Sequence, residues 1–434
     1  MNKAAAPIGL VPVRAIGLGG IILIAANGMI GTGIFSLPGK LDAAVGMFAP
    51  VLLLLAALGF GCIALSVADC ARHFDSSGGP MRYVVTAFGR FPGFLTGWLN
   101  FIARASSQAA NANILALTSA ALFPLAGSPA ARAAIITLLF AALTALNIVG
   151  VRKTVAALGA MTLLKLAPLV ILALAALTTY GTGPVPVIPP LADTASVALL
   201  AFYAFTGFES GAVAAGETRD PKRMIPRALI GTVMAVGLLY VLVQWAYSAS
   251  ASTNSETPLL DLATRLGGPL AGFALALTVL VSVIANLGSS MLGSPRLTVG
   301  MAEERMLPMR FAAIDPRFGT PAFSILFFGL FALLLALSGS FVFLAIVSTL
   351  ARLASYFACV LAAPRLDRMY AASRPWSRRL LFPAIAAALC IWAASQSSAK
   401  EWRSLAALVA AGTVLYLVTA RKPAWPKSSP PPTA

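Results

Sequence analysis

A chain of 434 residues that is 59% hydrophobic and only 10% charged cannot clothe a soluble globule in polar surface. Long apolar stretches recur roughly every 30 to 40 residues, as lipid-crossing helices require, and the short alternating segments of a membrane β-barrel are missing. The formal charge of +17 invites a nucleic-acid partner, yet in a membrane chain Lys and Arg collect in cytoplasmic loops, so their distribution decides.

In chain order the apolar pattern predicts twelve helices, at about 15–40, 45–71, 91–123, 130–150, 155–179, 192–216, 225–251, 269–301, 321–338, 341–363, 380–395 and 402–420. Pro and Gly clusters mark the gaps, among them Ser77-Gly78-Gly79-Pro80, Gly181 to Pro190, and Asp315 to Pro321. The expected organisation is one transmembrane domain over residues 1–420 and a Pro-rich cytoplasmic tail over 421–434. The first segment reads as a span and not a cleaved leader, since polar breaks interrupt it and no small-residue cleavage site follows. The four cysteines (Cys62, Cys70, Cys359, Cys390) have no CxxC spacing and read as reduced, apolar thiols.

With twelve spans both ends share a side. If that side is cytoplasmic, 23 Lys and Arg lie inside, five outside (Lys40, Arg132, Arg265, Lys400, Arg403) and three within spans (Arg104, Lys165, Arg352). This bias expects both termini in the cytoplasm and accounts for the positive charge without nucleic acid.

Two helices carry breaks. In the first, AANGMIGTGIFSLPGKL places Gly28, Gly31 and Gly33 at mid-depth, with Pro38 following. Each glycine costs about 1 kcal/mol in a helix interior, so three together predict unwound backbone, tolerated in lipid only beside protein or a water-filled cavity. In the sixth, LLAFYAFTGFESGAVAAGE carries Thr206-Gly207 at mid-depth and an acid, Glu209, just beyond. Matching breaks in two halves of an inverted repeat point to a midplane binding site. Free N–H groups around Thr32, Gly33 and Ile34 suit a carboxylate, with Ile30 and Gly31 beside them in the expected substrate site; free carbonyls at Ala204, Phe205, Thr206 and Gly207 suit an ammonium. Those are the two charges of an α-amino acid. The alternative is that these glycines serve close helix packing.

The segment Ile30-Gly31-Thr32-Gly33-Ile34-Phe35, the run Phe202 to Ser210, the loop Gly216 to Arg227, and the stretch from Ser294-Pro295-Arg296 through Met306-Leu307-Pro308 to Pro316–Pro321 occur in that order. On these four motifs the chain resembles the amino acid–polyamine–organocation (APC) superfamily over essentially its whole length. The resemblance implies an all-α integral membrane fold: a LeuT-like five-plus-five inverted repeat (helices 1–5 at about 15–179, helices 6–10 at about 192–363), two trailing helices at about 380–420, and alternating access. It further implies a multi-pass carrier in a bacterial inner membrane, monomeric or homodimeric, with membrane lipid and an amino acid as its partners.

Lys165, well inside helix five, is functional by default, because an ammonium in lipid is expensive; the alternative is snorkelling to the interface. Several sodium-independent members carry a lysine at this point, where sodium-coupled relatives bind an ion. By that resemblance Lys165 replaces the ion with a fixed or titratable charge, and no cofactor or metal is expected beyond a coupled proton. Glu209 matches a glutamate that the arginine–agmatine antiporter of this superfamily links to proton sensing and gating. Ser290 stands where that antiporter stacks a tryptophan on its substrate, which argues against a guanidinium here.

Asn100, Arg104, Gln108 and Asn111 fall on one face of helix three and line either a substrate path or a packing network. A side-chain pocket of Phe205, Phe208, Ser290 and Met291 would suit a small or apolar substrate. Arg352 reads as structural, paired with a carbonyl or with Asp69, and His73 as incidental. No catalytic or phosphate-binding signature appears. The expected function is sodium-independent amino acid transport, proton-coupled or exchanging; a cationic amino acid or polyamine antiporter is the nearest alternative, and a channel or non-transporting subunit the alternatives from other classes.

Overall fold

The computed structural model describes residues 16–74, 79–149, 155–213, 218–250, 255–371, 375 and 377–419, with backbone alone at 155–164, 213 and 378. The described residues hold no β-strand; a single parallel bridge joins Ile16 to Thr218. The helices are α1 (Leu18–Met29), α2 (Gly33–Val45), α3 (Ala49–Ala71), α4 (Gly79–Phe88), α5 (Arg90–Leu122), α6 (Pro129–Val149), α7 (Val155–Tyr180) and α8 (Leu191–Phe205). They continue with α9 (Ser210–Val213), α10 (Pro221–Ala249), α11 (Pro258–Gly293), α12 (Pro295–Glu303), α13 (Ala322–Ser338), α14 (Phe341–Met369), α15 (Phe382–Ser395) and α16 (Ala399–Thr419).

Proline opens many of these helices, at Pro50, Pro221, Pro258, Pro295 and Pro383, where the missing N–H would have had no intrahelical partner. At α14 the opening is a serine instead: the Ser340 side chain accepts from the Phe343 N–H.

Among the described residues, seven helical stretches are long and apolar enough to cross a membrane: Gly33–Ala71, Pro129–Val149, Leu191–Ala212, Pro221–Ala249, Pro258–Glu303, Phe341–Met369 and Ala399–Thr419. Shorter apolar helices accompany them at Leu18–Met29, Lys165–Tyr180, Ala322–Ser338 and Arg379–Ser395. Large apolar side chains stand on the outside of the bundle, including Leu238 (72% exposed), Leu138 (69%) and Ile171 (67%). Water would penalise that surface; lipid does not. The protein is a multi-pass membrane protein.

Inside, α5 is the central post, packed along α14 and touching α4, α6, α11 and α13. Its buried face is rich in small residues, Gly97, Ala103, Ala105, Ala109, Ala110 and Ala112, which let neighbouring backbones come close. The Ser348 hydroxyl of α14 donates to the Ala103 carbonyl at 2.7 Å across that contact. On the other side α3 lies along α10.

Several boundaries depart from the periodic pattern. The first predicted helix stops at Met29 and restarts at Gly33, running on to Val45 despite Pro38 inside it. The sixth stops at Phe205; its continuation α9 is a single turn, and residues 214–217 lie outside the described residues. The eighth begins at Pro269 as the pattern expects, but a separate helical segment, 258–266, precedes it within α11, set off by the non-helical Gly267 and Gly268, the latter at φ +70°. α4 carries no long apolar run and had no place in the pattern. The expected tail at 421–434 lies outside the described residues.

Candidate functional site

The two breaks meet back to back. A Cβ placed on Gly207 would sit 2.3 Å from the Gly28 carbonyl oxygen, and one on Gly28 would sit 2.6 Å from the Gly207 oxygen. No side chain fits between them. Gly207 also holds φ +107°, a left-handed conformation that glycine alone adopts cheaply.

Around this contact lies a cavity of about 260 Å³, including its open mouth. From the first break it is lined by Gly28, Met29, Gly31 and Gly33, and from the second by Tyr203, Ala204 and Thr206. Ser107 and Asn111 of α5 and Asn286 of α11 close the remaining side. No lining residue carries an ionised side chain, so backbone ends and neutral amides dominate the wall.

The first break is filled with donors. Unwinding leaves the last carbonyls of α1 without intrahelical partners. Lys165 Nζ donates to the Ile30 carbonyl at 2.7 Å and to Asn27 Oδ1 at 2.8 Å. Asn286 Nδ2 donates to the Asn27 carbonyl at 2.7 Å, and the Tyr240 hydroxyl to the Met29 carbonyl at 3.0 Å. Lys165 is 2% exposed, so it does not snorkel; it puts a cation against the carbonyl end of a broken helix, where the dipole favours one. At the start of α2, Asn111 Oδ1 accepts from the Thr32 hydroxyl at 2.6 Å and from the Thr32 N–H at 3.3 Å. The next N–H groups of α2, at Gly33 and Ile34, have no carbonyl one turn back inside the helix, and Gly33 faces the cavity.

The second break is held by a carboxylate. Glu209 Oε1 accepts from Arg352 Nη1 at 2.6 Å, and Oε2 accepts from the Tyr356 hydroxyl at 2.6 Å and from the Gly207 N–H at 3.0 Å. The acid is 1% exposed and fully engaged. Arg352 therefore pairs with Glu209 and not with Asp69, because α14 packs against α8 and carries residue 352 to the break. Thr206 folds back on the Tyr203 carbonyl through its N–H (3.1 Å) and its hydroxyl (2.8 Å), which leaves the Ala204 carbonyl end facing the cavity.

Other expected site residues lie elsewhere. Phe205 and Phe208 are 0% exposed and pack on Phe60, with ring centroids 5.6 Å and 6.3 Å apart. Ser290 meets Ser294 at 3.1 Å and does not line the cavity, nor does Met291. The pocket wall comes instead from Tyr203, whose hydroxyl is 3.3 Å from that of Ser107, and from the two asparagines.

The polar face of α5 divides. Asn100 donates to Ser355 Oγ at 2.7 Å, a packing contact; Gln108 Nε2 and Asn111 Nδ2 donate to Asn286 Oδ1 at 3.4 Å and 2.9 Å, next to the cavity; Arg104 Nη2 reaches Ser210 Oγ at 3.4 Å. Ser107, Tyr240 and Asn286 were missed as site residues, although Asn286 is an uncharged polar side chain inside an apolar span, the signal that exposed the α5 face. His73 is not incidental in contact: Nε2 lies 3.0 Å from Asp367 Oδ1, and the ring stacks on Tyr370 at 4.8 Å.

Comparison with known proteins follows the same lines. The profile of a family described as amino acid permease matches residues 16–420. A serine/threonine exchanger of Bacillus subtilis is 26% identical over 332 residues, covering 72% of this chain and 74% of its own length. Uncharacterised transporters of Mycobacterium tuberculosis and Mycobacterium bovis are 29% identical over 319 residues, covering 71% of this chain and 70% of theirs.

Proposed function

We propose, from the premise that the chain belongs to the amino acid permease family of the APC superfamily, that it is a sodium-independent carrier of small neutral amino acids. It works by alternating access, either exchanging substrates or coupling them to a proton. The reading takes α1 with α2, and α8 with α9, as the interrupted first helices of two inverted five-helix repeats within twelve spans. Both termini face the cytoplasm of a bacterial cell.

In this mechanism the substrate carboxylate binds the N–H groups at Gly33 and Ile34, at the positive end of α2. The ammonium binds the carbonyl end of α8 at Ala204. A short side chain points towards Ser107, Tyr203 and Asn286, whose hydroxyls and amides suit a hydroxyl or a methyl. One observation carries the choice of substrate: no free carboxylate lines the cavity, because Glu209 is consumed by Arg352, Tyr356 and Gly207. A cationic amino acid or polyamine would enter with nothing to neutralise its second charge. The name of the Bacillus subtilis relative, an exchanger of serine and threonine, points the same way.

Sodium independence rests on Lys165, whose ammonium takes the Ile30 carbonyl and Asn27 Oδ1 at the end of α1, oxygens that a sodium ion there would need. Counterflow in proteoliposomes tests the proposal with a panel of serine, threonine, alanine, arginine and putrescine. Serine, threonine or alanine should exchange with and without sodium, and arginine and putrescine should not. Flux that fails to saturate would mean a channel, and arginine exchange would overturn the substrate class.

A further inference from the structure

The two arginines buried near the second break are not equivalent. Arg352 is 5% exposed and makes a 2.6 Å bond to Glu209, as a structural ion pair does. Arg104 makes one hydrogen bond among the described residues, a long one at 3.4 Å to the Ser210 hydroxyl; the Nε atoms of both arginines are buried with no partner. Glu209, the carboxylate whose field both arginines share, has its two oxygens committed to Arg352, Tyr356 and Gly207. One acid thus stands against two guanidinium ions. An arginine at such a place normally saturates its planar fork with acceptors.

Exposure separates Arg104 further. On the middle of α5, Ala103, Ala105, Ser106 and Gln108 are buried, yet Arg104 and Ser107 retain accessible surface. Ser210 and Gly28 retain it too, although Glu209 and Met29 beside them do not. Ser107 and Gly28 line the central cavity. A Cβ on Gly28 would lie 2.8 Å from Ser210 Oγ, so Ser210, and Arg104 bonded to it, lie directly behind the cavity wall at Gly28. Arg104 stands one helical turn from Ser107, about 5 Å along α5, towards Arg90. Arg90 caps the Glu304 and Arg305 carbonyls on the face where the Lys and Arg excess gathers.

We infer that Arg104 is a second carboxylate-binding station, on the inner side of the central cavity, which receives the α-carboxylate of the substrate as it passes between the cavity and the cytoplasm. The inference rests on the carrier reading and its orientation. A guanidinium with unused donors directly behind the cavity wall supplies the bidentate geometry a carboxylate takes. The Ser210 hydroxyl next to it offers a further donor. Placing the station on α5 and α9, outside the two helix ends that bind the substrate centrally, lets a carboxylate leave the α2 N–H groups without first being fully hydrated.

Measuring the two faces separately tests this. In inside-out and right-side-out membrane vesicles, with radiolabelled L-serine as the probe, Arg104→Gln raises the inner-face KM at least about tenfold and moves the outer-face KM less than about twofold. Arg104→Lys, which keeps the charge but loses the bidentate fork, recovers only part of the inner-face affinity. Equal changes at both faces, or none at the inner face, overturn the assignment. A second readout needs no transport: labelling of Arg104 by phenylglyoxal in the purified wild-type protein, followed by peptide mass spectrometry. Glycine and acetate slow the labelling, whereas glycinamide and chloride do not. Equal protection by chloride marks a general anion site and overturns the carboxylate role, as does labelling that no carboxylate slows or an Arg104 that never reacts. If serine is not transported while glycine still protects Arg104, the carrier's substrate class is wrong and the station stands.

Discussion

The two helix breaks solve one physical problem with opposite charges. At the first, the open carbonyl end of α1 is met by donors: the Lys165 ammonium, the Tyr240 hydroxyl and the Asn286 amide. At the second, a buried carboxylate, Glu209, accepts the Gly207 N–H and is itself held by Arg352 and Tyr356. The first break is thus stabilised by a single cation with neutral helpers, the second by an ion pair. Among the described residues Lys165 has no acid as a hydrogen-bond partner, so its charge can be lost without orphaning a counter-ion there; that of Glu209 cannot. On the proposed mechanism, any titrating or ion-replacing role falls to the first break and a bracing role to the second.

The contrast can be broken most severely at Glu209. Glu209→Ala leaves Arg352 buried without its partner, a loss of about 3–5 kcal/mol, and should lower the thermal midpoint in detergent sharply. Glu209→Ala with Arg352→Met should recover much of that loss; no recovery would mean the acid acts through something other than the pair. Next is Gly207→Ala. Its positive φ costs about 1–3 kcal/mol, and the added methyl has nowhere to go beside Gly28, so the variant should bind no substrate in a scintillation proximity assay even when it is expressed.

Lys165→Ala comes third. It leaves the Ile30 carbonyl and Asn27 Oδ1 without a donor at about 1–3 kcal/mol, slowing transport by tenfold or more, and it should flatten the pH profile of uptake. A profile of unchanged shape would remove Lys165 from proton coupling and leave it as a fixed plug. Smallest is Lys40→Ala. Lys40 Nζ meets Glu256 at 2.8 Å between α2 and the segment before α11, but both side chains are substantially exposed. The pair is worth about 0.2–1 kcal/mol, and transport at high salt should be indistinguishable from wild type.

Much of this molecule can be read along the chain. Lipid supplies no hydrogen bonds, so apolar runs of sufficient length have to be helical, and the runs at Pro129–Val149 and Ala399–Thr419 are visible without any neighbour. Glycine weakness is equally local, which is why breaks could be named around Gly28, Gly31 and Gly33 and at Thr206-Gly207 from GMIGTG and FTGFE; the helices part at 30–32 and 206–209. Lys165 and Glu209 announced themselves by their cost in an apolar span.

What the tertiary structure alone decided is who meets whom. Glu209 and Arg352 are 143 residues apart in sequence, and Lys165 and Ile30 are 135 apart. Nothing local encodes either pairing, because it depends on how α14 lies on α8 and how α7 lies on α1. The same packing turned Phe205 and Phe208 away from the cavity and brought Asn111 and Asn286 into its wall. Backbone weakness and burial cost belong to a residue and its immediate neighbours, so the sequence by itself determined the helices, their breaks and the charges that need partners. A pocket belongs to the space between helices, and only the folded bundle could close it.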